Sequence, residues 1–295
     1  LSNQILIVTK TTSWSLRKDS FHQQLADRRI DQAEFDRIKF AHDEHQEAVR
    51  KVCSGLDHEK IDYRTVNVDD ETWSIPSSAK VVLTLGGDGT LLSASHRMND
   101  NRDLILFGIR SSGSSVGFLC AGGLEKFGDF LVQYKTDNYA TMTAERMIAE
   151  VQPSNSTKQK KFTVPALNDI LYSHANPAAT TRYKISLGDR IETHKSSGIW
   201  FSTSLGSTAG LLAAGGVIQP KTDRSFQFVV RELYRDPGRN FFLVNGFFDA
   251  ETKSLTLENR CEKAILAADG SHGIIEIEWG DRVILRRATP VRIAI

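Results

Sequence analysis

Short continuous apolar runs punctuate the first half of the chain. ILIV at 5–8 and VVLTL at 81–85 each end at turn-forming residues, and LILFGI at 104–109 is a third such run. Uninterrupted apolar runs of this length predict strands buried on both faces of a parallel sheet. Between the first two lies a long polar region. Its apolar residues Phe35, Ile38, Phe40, Ala48, Val49 and Val52 recur at spacings that predict surface helices. Alternating strands and helices imply a layered α/β domain over residues 1–140.

From residue 141 the pattern changes. RYKISLGDR, FQFVVREL, FFLVNGFF, KSLTLEN and IIEIEWGDRVIL alternate apolar and polar positions and are separated by Gly, Asp, Pro and Asn turn signals. Residues 141–295 are therefore expected to form a β-rich second domain. The stretch VQPSNSTKQKKF at 151–162 reads as a hairpin loop within it. Its Lys158, Lys160 and Lys161 fit a solvated loop, with contact to nucleotide phosphates as the alternative.

Composition narrows the function. The chain has 295 residues, 40% of them apolar, enough for two moderate cores. Its 37 Lys and Arg almost balance 36 Asp and Glu, so neither nucleic acid nor an anionic membrane is expected as a partner, and a small soluble ligand is. Cys53, Cys120 and Cys261 lie far apart, outside any C-x-x-C pattern, which argues against a disulfide framework or zinc site. No run reaches the roughly 18 apolar residues of a membrane span, and the first residues lack signal-peptide features. A cytoplasmic protein is expected, or one of the mitochondrial matrix if a targeting segment has been removed. His42, Asp43, Glu44 and His45 lack the H-E-x-x-H order and are expected on a solvated helix face, so no protein metal site is assigned.

The stretch LTLGGDGTLLSA at 83–94 sets Asp88 among Gly86, Gly87 and Gly89, after a buried strand and before a helix expected to begin near Thr90. In open parallel sheets, ligands sit beyond the carboxyl ends of the strands. Glycines there let a phosphate or sugar approach main-chain N–H groups. A carboxylate would repel a bare phosphate, but it suits magnesium or a hydroxyl about to be phosphorylated. A plain D-G turn is the other reading. Neither G-x-x-x-x-G-K-[ST] nor G-x-G-x-x-G occurs, so any nucleotide is held differently.

Two further stretches carry small and polar residues at strand ends. KSSGIWFSTSLGSTAGLLAAGGVI at 195–218 offers hydroxyls and room for a flat polar ligand, or else a helix capped at Ser207 or Thr208. In ALNDILYS at 166–173, Asn168 and Asp169 interrupt an apolar strand, where polar side chains are costly unless they bind something. They suit ribose hydroxyls or an adenine edge, with a bulge or turn as the alternative.

LGGDGTLL, ALND, STSLGSTAGLLAAGG and LAADG, in this order, resemble the NAD kinase family. The likeness covers about residues 80 to 270, and its KSSG form is similar to the mitochondrial branch. The resemblance implies an NAD kinase/diacylglycerol kinase-like α/β domain and transfer of the γ-phosphate of ATP, with magnesium, to the 2′-hydroxyl of the adenosine ribose of NAD or NADH. It implies Asp88 as the catalytic aspartate, flanked by Gly87, Gly89 and Thr90. Phe118 matches a residue lining the dinucleotide pocket, and Asn168 and Asp169 match the pair holding ribose and adenine. Ser197, Thr203, Thr208 and Ala209 match substrate-loop positions. A homo-oligomer is implied as well. Departures from the family pattern are Arg110 for asparagine, Ser197 for aspartate, Gly210 for tyrosine and Ala213 for serine. A lipid kinase of the diacylglycerol or sphingosine type and a dinucleotide sensor without turnover are the competing readings.

A ribose hydroxyl is a far weaker acid than a carboxylic acid. Asp88 is accordingly expected to orient the hydroxyl and accept its proton late, as the new phosphorus–oxygen bond forms. Direct magnesium ligation is its rival role.

Overall fold

A computed structural model describes residues 4–98, 103–271 and 273–295. The chain divides into two units, Leu1–Met142 with Val291–Ile295, and Thr143–Pro290. In the first unit the elements are β1 (Gln4–Thr9), α1 (Ser13–Ala26), α2 (Gln32–His58), β2 (Tyr63–Asn67), β3 (Ala79–Gly86), α3 (Asp88–His96), β4 (Ile105–Arg110), the two-residue β5 (Gly122–Gly123) and α4 (Phe127–Thr136).

All three continuous apolar runs are strands, and β4, β3, β1 and β2 lie side by side in parallel. Alternate residues face opposite sides. Ile5, Ile7, Val81, Leu83, Leu85, Ile105, Phe107 and Ile109 pack on Val52 and Leu56 of α2 and Phe130 of α4. Helix α3 covers the other face, where a Cβ on Gly108 would stand 2.7 Å from Leu91. Strand β2 escapes the apolar pattern because it is an edge strand, with only Val66 buried among YRTVN. Residues Arg292 and Ile293 add a further parallel pairing to β4.

Helix α3 begins at Asp88, two residues earlier than expected, with Gly87 at its N-cap. Asp88 thus sits in the first turn, where the positive end of the helix favours a carboxylate.

The chain enters the second unit within β6 (Thr141–Gln152). There follow β7 (Lys161–Phe162), β8 (Asp169–His174), β9 (Thr181–Leu187), β10 (Arg190–Ser196), β11 (Gly198–Ser202), the short α5 (Gly210–Ala213), β12 (Phe226–Arg231), β13 (Asn245–Phe248), β14 (Leu255–Asn259), β15 (Ala264–Ala268), β16 (Gly273–Ile277) and β17 (Arg282–Ala294). Antiparallel pairing runs β13-β12-β11-β8-β15-β16 in one sheet and β10-β9-β14-β17 in the other. Their apolar faces share one core, in which Tyr172 and Tyr183 meet edge to face at 5.6 Å between ring centroids.

Of FFLVNGFF only Asn245–Phe248 is strand. Strands β6 and β7 form the expected hairpin, with Glu150 opposite Phe162. Its lysines are occupied: Lys158 pairs with Glu278 at 2.6 Å and Lys160 with Glu150 at 2.7 Å. No helix among the described residues is long and apolar enough to cross a membrane.

Candidate functional site

In the first unit the carboxyl ends of β3 and β4 carry the glycine-rich turn and the loop 111–119. The Asp88 carboxylate accepts the main-chain N–H of Phe118 at 3.0 Å and of Leu119 at 2.8 Å. Each oxygen is used once, which leaves each a lone pair for another partner. Gly89 is exposed, with nothing within 4 Å of where its Cβ would point, whereas a Cβ on Gly87 would come 2.9 Å from Ser115 Oγ. Thr90 is buried against Gly86, facing inward rather than outward. Phe118 is 45% exposed.

The loop is held from several sides. Arg110 donates to the carbonyl of Val116 at 3.2 Å, and its stem lies against Gly117. Gly117 has φ +64, and an added Cβ would stand 2.9 Å from Arg110 Cδ, so the position requires glycine twice over. The arginine that departs from the family pattern therefore braces the loop that anchors Asp88. Glu44 accepts from Ser112 Oγ at 2.7 Å and from the Gly113 N–H at 3.1 Å, and His45 Nδ1 meets Ser111 Oγ at 2.8 Å. Burial, aided by the Lys10 charge, lowers the His45 pKa to about 4. The expected solvated face at His42–His45 is thus wrong for half its members: His45 is 1% exposed and Glu44 serves the loop.

In the second unit, ALND, STSLGSTAG and LAADG converge. The Asp269 carboxylate accepts the N–H groups of Leu167, Asn168 and Asp169 at 2.9, 2.8 and 3.1 Å, and its own N–H returns to the Asp169 carbonyl at 2.9 Å. Asp269 adopts a left-handed conformation, φ +50, before Gly270 at φ +91, in the loop joining β15 to β16. The D-G pair was the sequence signal for this latch, since both residues tolerate that region.

From the opposite side, the Thr203 N–H and Ser202 Oγ donate to the Asn168 carbonyl at 2.9 and 3.1 Å. Thr203 is fully buried, and its hydroxyl donates to the Leu167 carbonyl at 2.5 Å, so it supports the Asn168 loop from beneath. Gly206 packs on the Asn168 carbonyl, where a Cβ would intrude to 2.1 Å.

So clamped, Asn168 keeps its side-chain oxygen buried and without a hydrogen-bond partner. An orphaned buried acceptor is costly, which makes it the strongest local sign of a ligand. Asp169 is 6% exposed, and burial, reinforced by the Asp269 carboxylate, raises its pKa to about 7. Near neutrality it can donate as well as accept a hydrogen bond.

The alternative of a capped, alanine-rich helix is not what forms: the segment is a 3₁₀ turn, Leu205–Thr208, followed by the four residues of α5, with no side-chain cap. Thr208 and Ala209 are half-buried at this turn. Gly210 lies under Trp200, with its Cβ position 3.0 Å from the ring, so a tyrosine there would have to displace the indole. Ser197 is half-buried and donates its N–H to the Arg231 carbonyl at 3.0 Å. Nothing in the structure explains Ala213.

No protein-family model matches the chain. Over 271 residues it is 29% identical to a probable NADH kinase of Oryza sativa subsp. japonica, covering 84% of this chain and 80% of the relative. The relatives it resembles over most of its length are named NAD kinases and NADH kinases. Among solved structures of the family, yeast NADH kinase complexed with NADH matches with TM-score 0.74 at 14% identity, covering 100% of this chain and 84% of that one. An NAD kinase from Archaeoglobus fulgidus in complex with ATP matches with TM-score 0.64 at 17% identity, covering 99% and 93%. These likenesses agree in fold with an α/β unit followed by a β-rich one.

Proposed function

We infer that this chain is an NAD(H) kinase, transferring the γ-phosphate of ATP to the 2′-hydroxyl of the adenosine ribose of NAD or NADH to give NADP(H). The observation that carries the reading is the anchored Asp88 carboxylate at the carboxyl end of a parallel strand, in a chain whose relatives are named NAD and NADH kinases.

Asp88 acts as hydrogen-bond acceptor for the 2′-hydroxyl and takes its proton as the phosphorus–oxygen bond forms. Two N–H donors fix the carboxylate, so little reorganisation is needed at that moment. Gly87 and Gly89 give the phosphates access to the main chain. Phe118 packs on the dinucleotide. Asn168 donates and accepts at ribose or base, and Asp169, protonated near neutrality, adds a second donor. Thr208, Ala209 and Ser197 border the substrate, while Thr203 and Thr90 hold the loops in shape.

Magnesium is held largely by phosphate oxygens and water, with one or two carboxylates. Asp88, with a lone pair left on each oxygen, fits that modest demand and would hold the ion in the alternative to its role toward the hydroxyl. Magnesium supplies neutralisation of phosphate charge. The metal, a homo-oligomeric assembly and a cytoplasmic or mitochondrial-matrix setting are parts of the same reading and rest on the family resemblance.

The test is product formation. Incubation with ATP, magnesium and NAD, NADH or diacylglycerol, followed by an NADP-specific dehydrogenase assay and lipid chromatography, should yield NADP(H) and no phosphatidic acid. Phosphorylated lipid, or dinucleotide binding without product, would contradict it.

A further inference from the structure

A cavity opens in the first unit, at the carboxyl end of β1. Its volume is about 370 Å³, and its walls include Lys10, Thr11, Trp14, Arg37, His42 and Ser114. At roughly 30 Å³ per water that is room for about a dozen waters, the scale of a short polyphosphate. Its place follows from the register of the sheet. Thr9 pairs with Leu85, so Lys10 leaves β1 about one strand spacing, roughly 4.8 Å, from the start of the Gly86–Asp88 turn. Ser114 belongs to the same loop as Ser115, which lies against Gly87.

The chemistry of the walls is cationic and hydroxylic. Lys10 is half-buried, and burial lowers its pKa; among the described residues it makes no ion pair. The Asp69 carboxylate accepts the Thr11 N–H at 3.2 Å. Among the described residues Arg37 has only a long 3.8 Å pairing to Glu34, and its side chain is largely exposed. His42 Nδ1 shares a 2.8 Å hydrogen bond with Thr12 Oγ1. A desolvated ammonium without a counter-ion, beside a guanidinium and hydroxyls, is a site that gains from a multiply charged anion.

We propose that this cavity binds a triphosphate chain, with Lys10 as its principal contact and Arg37 at its mouth, and so receives the phosphates of the donor next to the Asp88 turn. The proposal rests on the kinase reading for the identity of the donor, but not for the binding of the anion. It assigns Lys10 a role that the glycine-rich motif alone does not suggest.

Calorimetric titration of inorganic tripolyphosphate and of ATP into the wild-type chain, Lys10→Met and Arg37→Gln tests it. Lys10→Met, which keeps the apolar stem, should weaken both ligands by about tenfold or more, the scale of a charge-assisted contact, while NAD affinity and melting temperature stay unchanged. Arg37→Gln should act in the same direction, less strongly. In the wild type, tripolyphosphate should slow acetylation of Lys10 by acetic anhydride, mapped by mass spectrometry, a readout independent of any variant. Unchanged affinity in Lys10→Met together with unprotected Lys10 would overturn the proposal, as would ATP binding with no binding of tripolyphosphate. Lys10-dependent tripolyphosphate binding in a chain that forms no NADP(H) would sustain the cavity and sink the kinase reading. NADP(H) formation with a Michaelis constant for ATP untouched by Lys10→Met would do the reverse.

Discussion

The Asp269 carboxylate lies 2.8 Å from the main-chain nitrogen of Asn168, and a residue 101 positions away in sequence thereby fixes the Asn168 backbone. Because the same carboxylate also takes the N–H groups of Leu167 and Asp169, its loss strands three donors together. Unsatisfied buried donors cost about 1–3 kcal/mol each. Asp269→Ala should therefore lower stability by about 3 kcal/mol or more in denaturant titrations. In assays where the variant remains folded, dinucleotide affinity should fall before the turnover number does.

Asp169 makes stability depend on pH. Its pKa in the folded chain is raised to about 7, against an ordinary aspartate value near 4. The folded state therefore keeps a proton that the unfolded state releases. The resulting stabilisation is full below about pH 4 and is lost as the pH rises through about 7. Asp169→Asn, which mimics the neutral acid, removes this dependence. Its melting temperature relative to wild type should rise between pH 4.5 and pH 8; a pH-independent difference would contradict the assignment.

Two glycines separate folding from function. A methyl group on Gly206 would meet the Asn168 carbonyl at 2.1 Å, whereas one on Gly89 meets nothing within 4 Å. Gly206→Ala should be strongly destabilised, in the range of overpacking defects of about 1–3 kcal/mol or more. Gly89→Ala should melt at or slightly above the wild-type temperature, since alanine suits a first helical turn. Its phosphorylation rate should nevertheless fall, because the methyl occupies the face offered to phosphate. Full activity in Gly89→Ala would remove that face from the site.

The parallel strands were legible because burial on both faces writes itself as an unbroken apolar run. β2 was not, since an edge strand with one buried side chain carries no such run. The residues Asp88, Asn168 and Asp169 stood out because charged or amide groups beside buried strands need a reason. What remained hidden lies in contacts between distant residues: Glu44 with Ser112, Asp269 with the ALND loop, Arg110 along Gly117. Local patterning read His45 as a surface residue, and the family resemblance put Thr203 at the substrate, because neither neighbour sequence shows which way a side chain turns.

Single-turnover phosphorylation of NAD by the Asp88→Asn variant tests the central claim most directly, with NAD affinity measured in parallel. The asparagine still accepts one loop N–H, so affinity should remain within about threefold of wild type, while the rate should drop by about a hundredfold or more, the scale of a positioned acid or base. A variant that phosphorylates NAD at near wild-type rate would show that the Asp88 carboxylate takes no part in the chemistry.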